Sequence, residues 1–288
     1  MHSKRRSKGL LFVHFGGRMR EDYSRAHVDG AEDIFAQIKD SKIDFNSPRI
    51  WGNILRYMFT CQTMERVGYR AGLKHVKVLD VGCSNGTFFG FANNNFGYSR
   101  IDSFEYIGID VRQSSLDEAH RLHPNIVTVQ LDMNDNALTD KISGQFDVIN
   151  AQQVLEHIGY DAAIKMLQSC HDLLAPHGQL VLSAPSPRKD LGEEFISKAT
   201  QGMHSQHGHI YEFSFDEVAS ALDDAGFKID THLGAMTRAM PRDLDNPSAD
   251  EQPLFDLTRQ FSRGMFVSLF SAANPVRSKN YLIAASKK

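Results

Sequence analysis

Residues 78–91 read VLDVGCSNGTFFGF. Val78 and Leu79 lead through Asp80 to Val81, the pattern of a short buried strand. Gly82 and Gly86 follow, with small or polar residues between them. Glycine at the first position lets the backbone turn sharply and approach a ligand where any side chain would intrude. Glycine at the second lets the following helix start tightly against the strand. The stretch is therefore a strand–turn–helix joint built around a ligand. It breaks the GxGxxG pattern of pyrophosphate-binding loops. Asp80 would also repel a pyrophosphate, so the expected ligand is cationic or rich in hydrogen-bond donors.

Working outward, strand and helix patterns alternate. FEYIGIDV, IVTVQLDM, FDVINAQ, QLVLSAP, FKIDTHLGAM and NYLIAAS read as strands two to seven. DAAIKMLQSCHDLL places Ala163, Leu167, Cys170 and Leu174 on one helical face, with Pro176 and Gly178 as stops. FSFDEVASALDDAGF carries a capping box, Ser214 with Glu217. Phe213 and Val218 form a hydrophobic staple there, and Gly226 sits at the stop. This alternation predicts an α/β fold, a doubly wound, mostly parallel sheet with helices on both faces. Ligands then bind at the carboxyl ends of the strands. Asp110 closes the second strand, where it can accept from ribose hydroxyls. Asp132 closes the third, where it can accept from an exocyclic amine, with Met133 against a ring.

Four segments are expected. Residues 1–72 form a helical segment, a packing layer or a lid, with Trp51, Leu55, Met58, Met64 and Val67 near a helical period between Pro48 and Gly72. Residues 73–236 form the core. Residues 237–276 form a helical insertion, with Leu254, Leu257, Phe261, Met265 and Leu269 as its stripe, and 277–288 supply the last strand. The 288 residues are 41% hydrophobic and 23% charged, with a net charge of −3. Nothing in that balance marks a nucleic-acid or membrane-surface binder. Three scattered cysteines give neither a disulfide framework nor a zinc site. The apolar run after the basic start is too short for a signal peptide, and no stretch is long enough to span a bilayer. A cytoplasmic setting is expected.

With Asp80, Gly82, Asp110 and Asp132 in order on successive strands, the chain resembles the class I S-adenosylmethionine-dependent methyltransferases over about residues 70–235 and the final strand. VLDVGCSNG looks like the first family motif, D-x-G-x-G-x-G, with Ser84 in place of the middle glycine. The resemblance implies a seven-stranded sheet with its last strand antiparallel. It implies that Gly82, Cys83, Ser84 and Gly86 cradle the methionine part of S-adenosylmethionine. Asp110 with Val111 would hold the ribose, and Asp132 with Met133 the adenine. FDVINAQQVLEHI matches the fourth motif and brings Gln152 to the cofactor.

QVLEHI and HGHIYEFSFDEV are similar to small-molecule methyltransferases, including the ubiquinone-biosynthesis O-methyltransferases. That likeness nominates His157, with His209 or His207, as bases near the transfer site. Some relatives carry Glu-x-x-Glu-His and a later His around a divalent ion. Here Gln153 replaces the first carboxylate and an amide is a weaker ligand for a hard cation, so no metal is assigned. The implied reaction is methyl transfer to O or N of a small-molecule acceptor. The alternatives are an RNA or nucleotide-sugar methyltransferase, and a non-catalytic binding or scaffold protein; a homodimer is a further candidate assembly. The absence of an Asn/Asp-Pro-Pro-aromatic motif and of a Pro-Cys nucleophile weighs against DNA bases.

Overall fold

The computed structural model describes residues 48–94, 96–134, 137–185, 209–237, 263–273, 275 and 278–288. The chain opens, within that range, on helix α1 (Pro48–Ala71). Then follow β1 (His75–Val81), α2 (Thr87–Asn94), β2 (Ser103–Asp110), α3 (Gln113–Leu122), β3 (Thr128–Gln130) and β4 (Phe146–Gln152). A short 3-10 turn at Leu155–His157 leads to α4 (Tyr160–Leu173) and β5 (Leu174–Pro185). The rest is α5 (Phe215–Asp224), β6 (Phe227–Thr237), α6 (Arg263–Ala273) and β7 (Ser278–Lys287). The expected helix over Ile34–Ile38, the residues 186–208 with His207, and the Leu254–Phe261 part of the insertion lie outside the described residues.

The seven strands form one sheet in the order β3-β2-β1-β4-β5-β7-β6. β1 runs parallel to β2 and β4, β2 to β3, and β4 to β5. β7 runs antiparallel between β5 and β6. The strand order reverses between β1 and β4, so their carboxyl ends open a crevice. The middle strands are apolar because both faces are covered: Val78, Leu79, Val148, Ile149, Leu180 and Leu182 are all fully buried.

Three local differences from the sequence reading bear on the site. β3 spans only Thr128–Gln130, so Asp132 stands two residues beyond it. α3 is a helix that the apolar pattern did not mark. On α1 the expected stripe holds at Met64 and Val67, which are buried, and fails at Met58, while polar residues join the buried face. Met58 is 38% exposed, while Arg56, Phe59, Thr60, Thr63, Met64 and Val67 are buried. Thr63 bonds within the helix, to the Phe59 carbonyl at 2.8 Å, but Thr60 has partners across the interface. Thr60 bonds to Asn150 and Gln152, and Arg56 offers its backbone carbonyl to Gln152. Hydrophobic periodicity cannot mark a helix face that is buried through hydrogen bonds. At α5 the cap stands as expected: Ser214 Oγ accepts from the Glu217 amide, and Glu217 reaches back to the Ser214 amide.

Candidate functional site

The turn after β1 sets the floor of a cavity of about 350 Å³ at the switch point. Gly82 has φ +76, and a Cβ there would lie 2.5 Å from Val154 Cγ2. Its freedom therefore admits both the turn and the segment that follows β4. The amides of Gly82 and Cys83 donate to the Ile109 carbonyl at 2.7 and 2.8 Å, locking the turn onto β2. Ser84 takes φ +50, a strained conformation for a residue with a side chain. Its amide donates to Asp110 Oδ2 at 2.9 Å. Asp110 Oδ1 accepts from the Arg112 amide at 2.9 Å and lies 3.5 Å from the Arg112 Nε. The strand-end carboxylate thus organises the loop before any ligand arrives.

Asp80 lies beneath this loop, 3% exposed. Tyr106 donates its hydroxyl to Oδ2 at 2.5 Å and Asn150 donates Nδ2 to Oδ1 at 2.6 Å. Burial pushes the Asp80 carboxyl up to about 6, against the opposing pull of these two donors. Burial also pushes the Cys83 thiol well above its ordinary range, so it is a packed wall rather than a nucleophile.

Asp80, Gly82, Cys83, Ser84, Asp110, Val111, Asp132, Met133, Gln152, His157 and His209 all line the one cavity. Gly86 does not. Its φ is +77, and a Cβ there would meet Ile126 Cδ1 at 2.9 Å and His123 Cδ2 at 3.1 Å, so it serves the packing of the start of α2 against the end of α3 and the loop before β3. Arg56 and Asn150 also line the cavity, and the sequence offers no motif for them; so does Glu156, which matches the second carboxylate of the Glu-x-x-Glu-His pattern. The signal for Arg56 was an arginine on α1 four residues before Thr60, and only the packed helix gives it meaning.

The far end of the cavity is built by two segments that the sequence separates by fifty residues. The Ile210 amide donates to the Glu156 carbonyl at 2.7 Å, which ties the strap before α5 to the Leu155–His157 turn. This brings the His157 and His209 rings to 5.0 Å between centroids, edge to face. His209 Nδ1 pairs with Glu212 Oε1. A carboxylate only accepts, so Nδ1 carries a proton, and in the neutral tautomer the free lone pair is on Nε2. Glu156 is 1% exposed, and its Oε2 has no hydrogen-bond partner among the described residues. Burial pushes its carboxyl up to about 7. Ligating atoms of Glu156, His157 and His209 all lie within 4.8 Å of one another. The Gln153 side chain has other partners: Nε2 donates to Ser183 Oγ at 3.3 Å, and Oε1 accepts from Asn280 Nδ2 at 3.5 Å.

Comparison with known proteins agrees with this architecture. The family described as "Methyltransferase domain" matches residues 29–232. A ubiquinone biosynthesis O-methyltransferase of Pseudomonas aeruginosa (strain LESB58) is 33% identical over 116 residues, 40% of this chain and 46% of that protein. One from Pseudomonas paraeruginosa is 33% identical over 174 residues, 57% of this chain and 70% of that protein. The chain thus spans about half the length of the first of these relatives. Among solved structures, magnesium protoporphyrin IX methyltransferase from Synechocystis PCC 6803 is 15% identical with a TM-score of 0.52. That match covers 91% of this chain and 96% of that chain, and it shows a common fold.

Proposed function

This chain belongs to the class I S-adenosylmethionine-dependent methyltransferases, and we propose that it moves the cofactor's methyl group to an oxygen of a small-molecule acceptor. The observation that carries the reading is the single cavity lined at one end by Asp110 and Asp132 and at the other by His157 and His209. Asp110 accepts from the ribose hydroxyls, and Asp132 with Met133 takes the adenine. The loop at Gly82–Ser84 cradles the methionyl part. Arg56 brings a guanidinium to the same cavity, a complement to the cofactor's carboxylate. The likeness to O-methyltransferases supports oxygen as the attacked atom.

The acceptor oxygen attacks the methyl carbon as the carbon–sulfur bond breaks, and sulfur keeps the electron pair. The proton leaving the oxygen passes to a base, and His209 suits the role because Glu212 fixes its tautomer. The protein's larger contribution is to align the three atoms and exclude water. The test supplies methyl-labelled S-adenosylmethionine with catechol as the oxygen probe and aniline as the nitrogen probe. Transfer to catechol is expected; transfer to aniline alone overturns the oxygen assignment. His209→Gln should slow transfer roughly a hundredfold, the usual contribution of a general base, while affinity for S-adenosylhomocysteine holds.

One observation favours a metal-assisted version. Two imidazoles and one carboxylate with ligating atoms within 4.8 Å suit a divalent transition ion. Glu156, His157 and His209 would hold it, without Gln153. The ion would act as a Lewis acid that lowers the pKa of an acceptor hydroxyl. Transfer that survives exhaustive chelation rules this version out.

A further inference from the structure

A buried chain of hydrogen bonds joins the Asp80 carboxylate to α1, and it fixes the orientation of both side-chain amides, while the Thr60 hydroxyl also lies 3.3 Å from the Arg56 carbonyl. Asp80 accepts twice, from Tyr106 and from Asn150 Nδ2. With its amide committed, Asn150 presents Oδ1, which accepts from the Thr60 hydroxyl at 2.9 Å. The Thr60 oxygen in turn accepts from Gln152 Nε2 at 2.7 Å. The same nitrogen donates to the Arg56 backbone carbonyl at 3.0 Å. A carbonyl cannot donate, so the Gln152 amide cannot be flipped. Its Oε1 is left buried on the cavity with no hydrogen-bond partner among the described residues. A buried acceptor held in that state calls for a donor from a ligand.

The sheet order says which part of the ligand. Asp132 follows β3 and Asp110 ends β2, so adenine and ribose occupy that flank. Asp80 pairs in register with Asn150 across β1 and β4. On the cofactor reading above, the methionyl end would lie over β1 and β4, and its hydrogen-bond donor is the ammonium group.

We infer that Thr60, a fully buried residue outside the cavity, is a positioning residue for the methionyl end of S-adenosylmethionine. It acts by holding Gln152 so that Oε1 receives the ammonium. The inference rests on the cofactor reading above. Thr60 also sets where α1 stands on β4, and with it the guanidinium of Arg56.

The test compares two ligands by calorimetry, S-adenosylhomocysteine and 5′-methylthioadenosine. The second keeps adenine, ribose and sulfur and lacks the amino-acid end. Thr60→Val keeps the shape and removes the hydroxyl. It should weaken S-adenosylhomocysteine roughly tenfold, the scale of a buried polar group left unpartnered, and leave 5′-methylthioadenosine unchanged. Thr60→Ser restores the hydroxyl and should restore the affinity. Gln152→Met should show the same ligand selectivity as Thr60→Val. Equal losses for both ligands would mean that Thr60 matters only for packing and would overturn the inference, as would no loss at all. If the unaltered protein binds neither ligand, the cofactor reading itself fails, a result distinct from either.

Discussion

Asp80 keeps a charge where water does not reach, and that has a cost that pH reveals. Its carboxyl titrates at 3.8 in an ordinary setting and at about 6 when buried in the fold. Between those values the native state holds the extra proton. Stability therefore falls as pH rises through that window, and the penalty is complete above about 6. A rise of that size is worth on the order of 3 kcal/mol. Asp80→Asn removes the ionisable group. The fall in urea midpoint between about pH 5 and about pH 7.5 should shrink in the variant relative to the parent protein. Asp110 makes a different prediction. Asp110→Ala removes a charged acceptor and also frees the Ser84 amide. S-adenosylhomocysteine should bind weaker by roughly 1–3 kcal/mol in calorimetry, and unchanged affinity would sink the ribose assignment. Asp80, Asp110 and Asp132 were legible in the chain because three carboxylates fall in order at or just past the ends of successive apolar strands, although a single strand-end Asp is common in turns. Thr60, Asn150 and Arg56 were not, because each gains its role from a helix docked across ninety-odd residues of sequence.

Helix α5 illustrates an element written locally. Ser214 and Glu217 cap each other, Phe213 and Val218 are buried beside them, and Gly226 follows with φ +87. Each of these contacts joins residues close in sequence, so pattern suffices to find them. Ser214→Ala should cost about 1 kcal/mol of unfolding free energy in urea, the usual loss of a cap. Affinity for S-adenosylhomocysteine should not change, since the cap does not line the cavity. Helix α1 shows the opposite case. Its apolar pattern pointed to a stripe through Met58, yet the buried side carries Arg56, Thr60 and Thr63. Polar groups are cheap to bury only when partners wait on the other element. For Thr60 those partners are Asn150 and Gln152, which no reading of α1 alone contains.

On the scale of the whole molecule, the cavity is a meeting of chain segments rather than a motif. β1, β2 and the residues after β3 supply one flank; α1, the end of β4 and the strap at His209 supply the other. A ligand that bridges both flanks should stabilise the entire sheet. At one hundred times its dissociation constant, S-adenosylhomocysteine is expected to add about 2.7 kcal/mol. That raises the melting temperature by roughly 4–8 °C, measured by thermal unfolding with and without ligand. A shift equalled by NADH would point to a different cofactor. No helix among the described residues is long and apolar enough to cross a membrane.

The amino-acid sequence by itself determined the alternation of strands and helices, the glycine turn at Gly82, and the carboxylates one residue before the end of β1, at the end of β2 and just after β3. Those features depend on periodicity and on backbone freedom, which act over a few neighbouring residues. Only the tertiary structure decided that Gly86 stays outside the cavity, that Arg56 and Thr60 turn inward, and that Glu156 and His157 meet His209. Those outcomes depend on which buried polar group finds a partner across the sheet, and a partner distant in sequence becomes a neighbour only when the chain has folded.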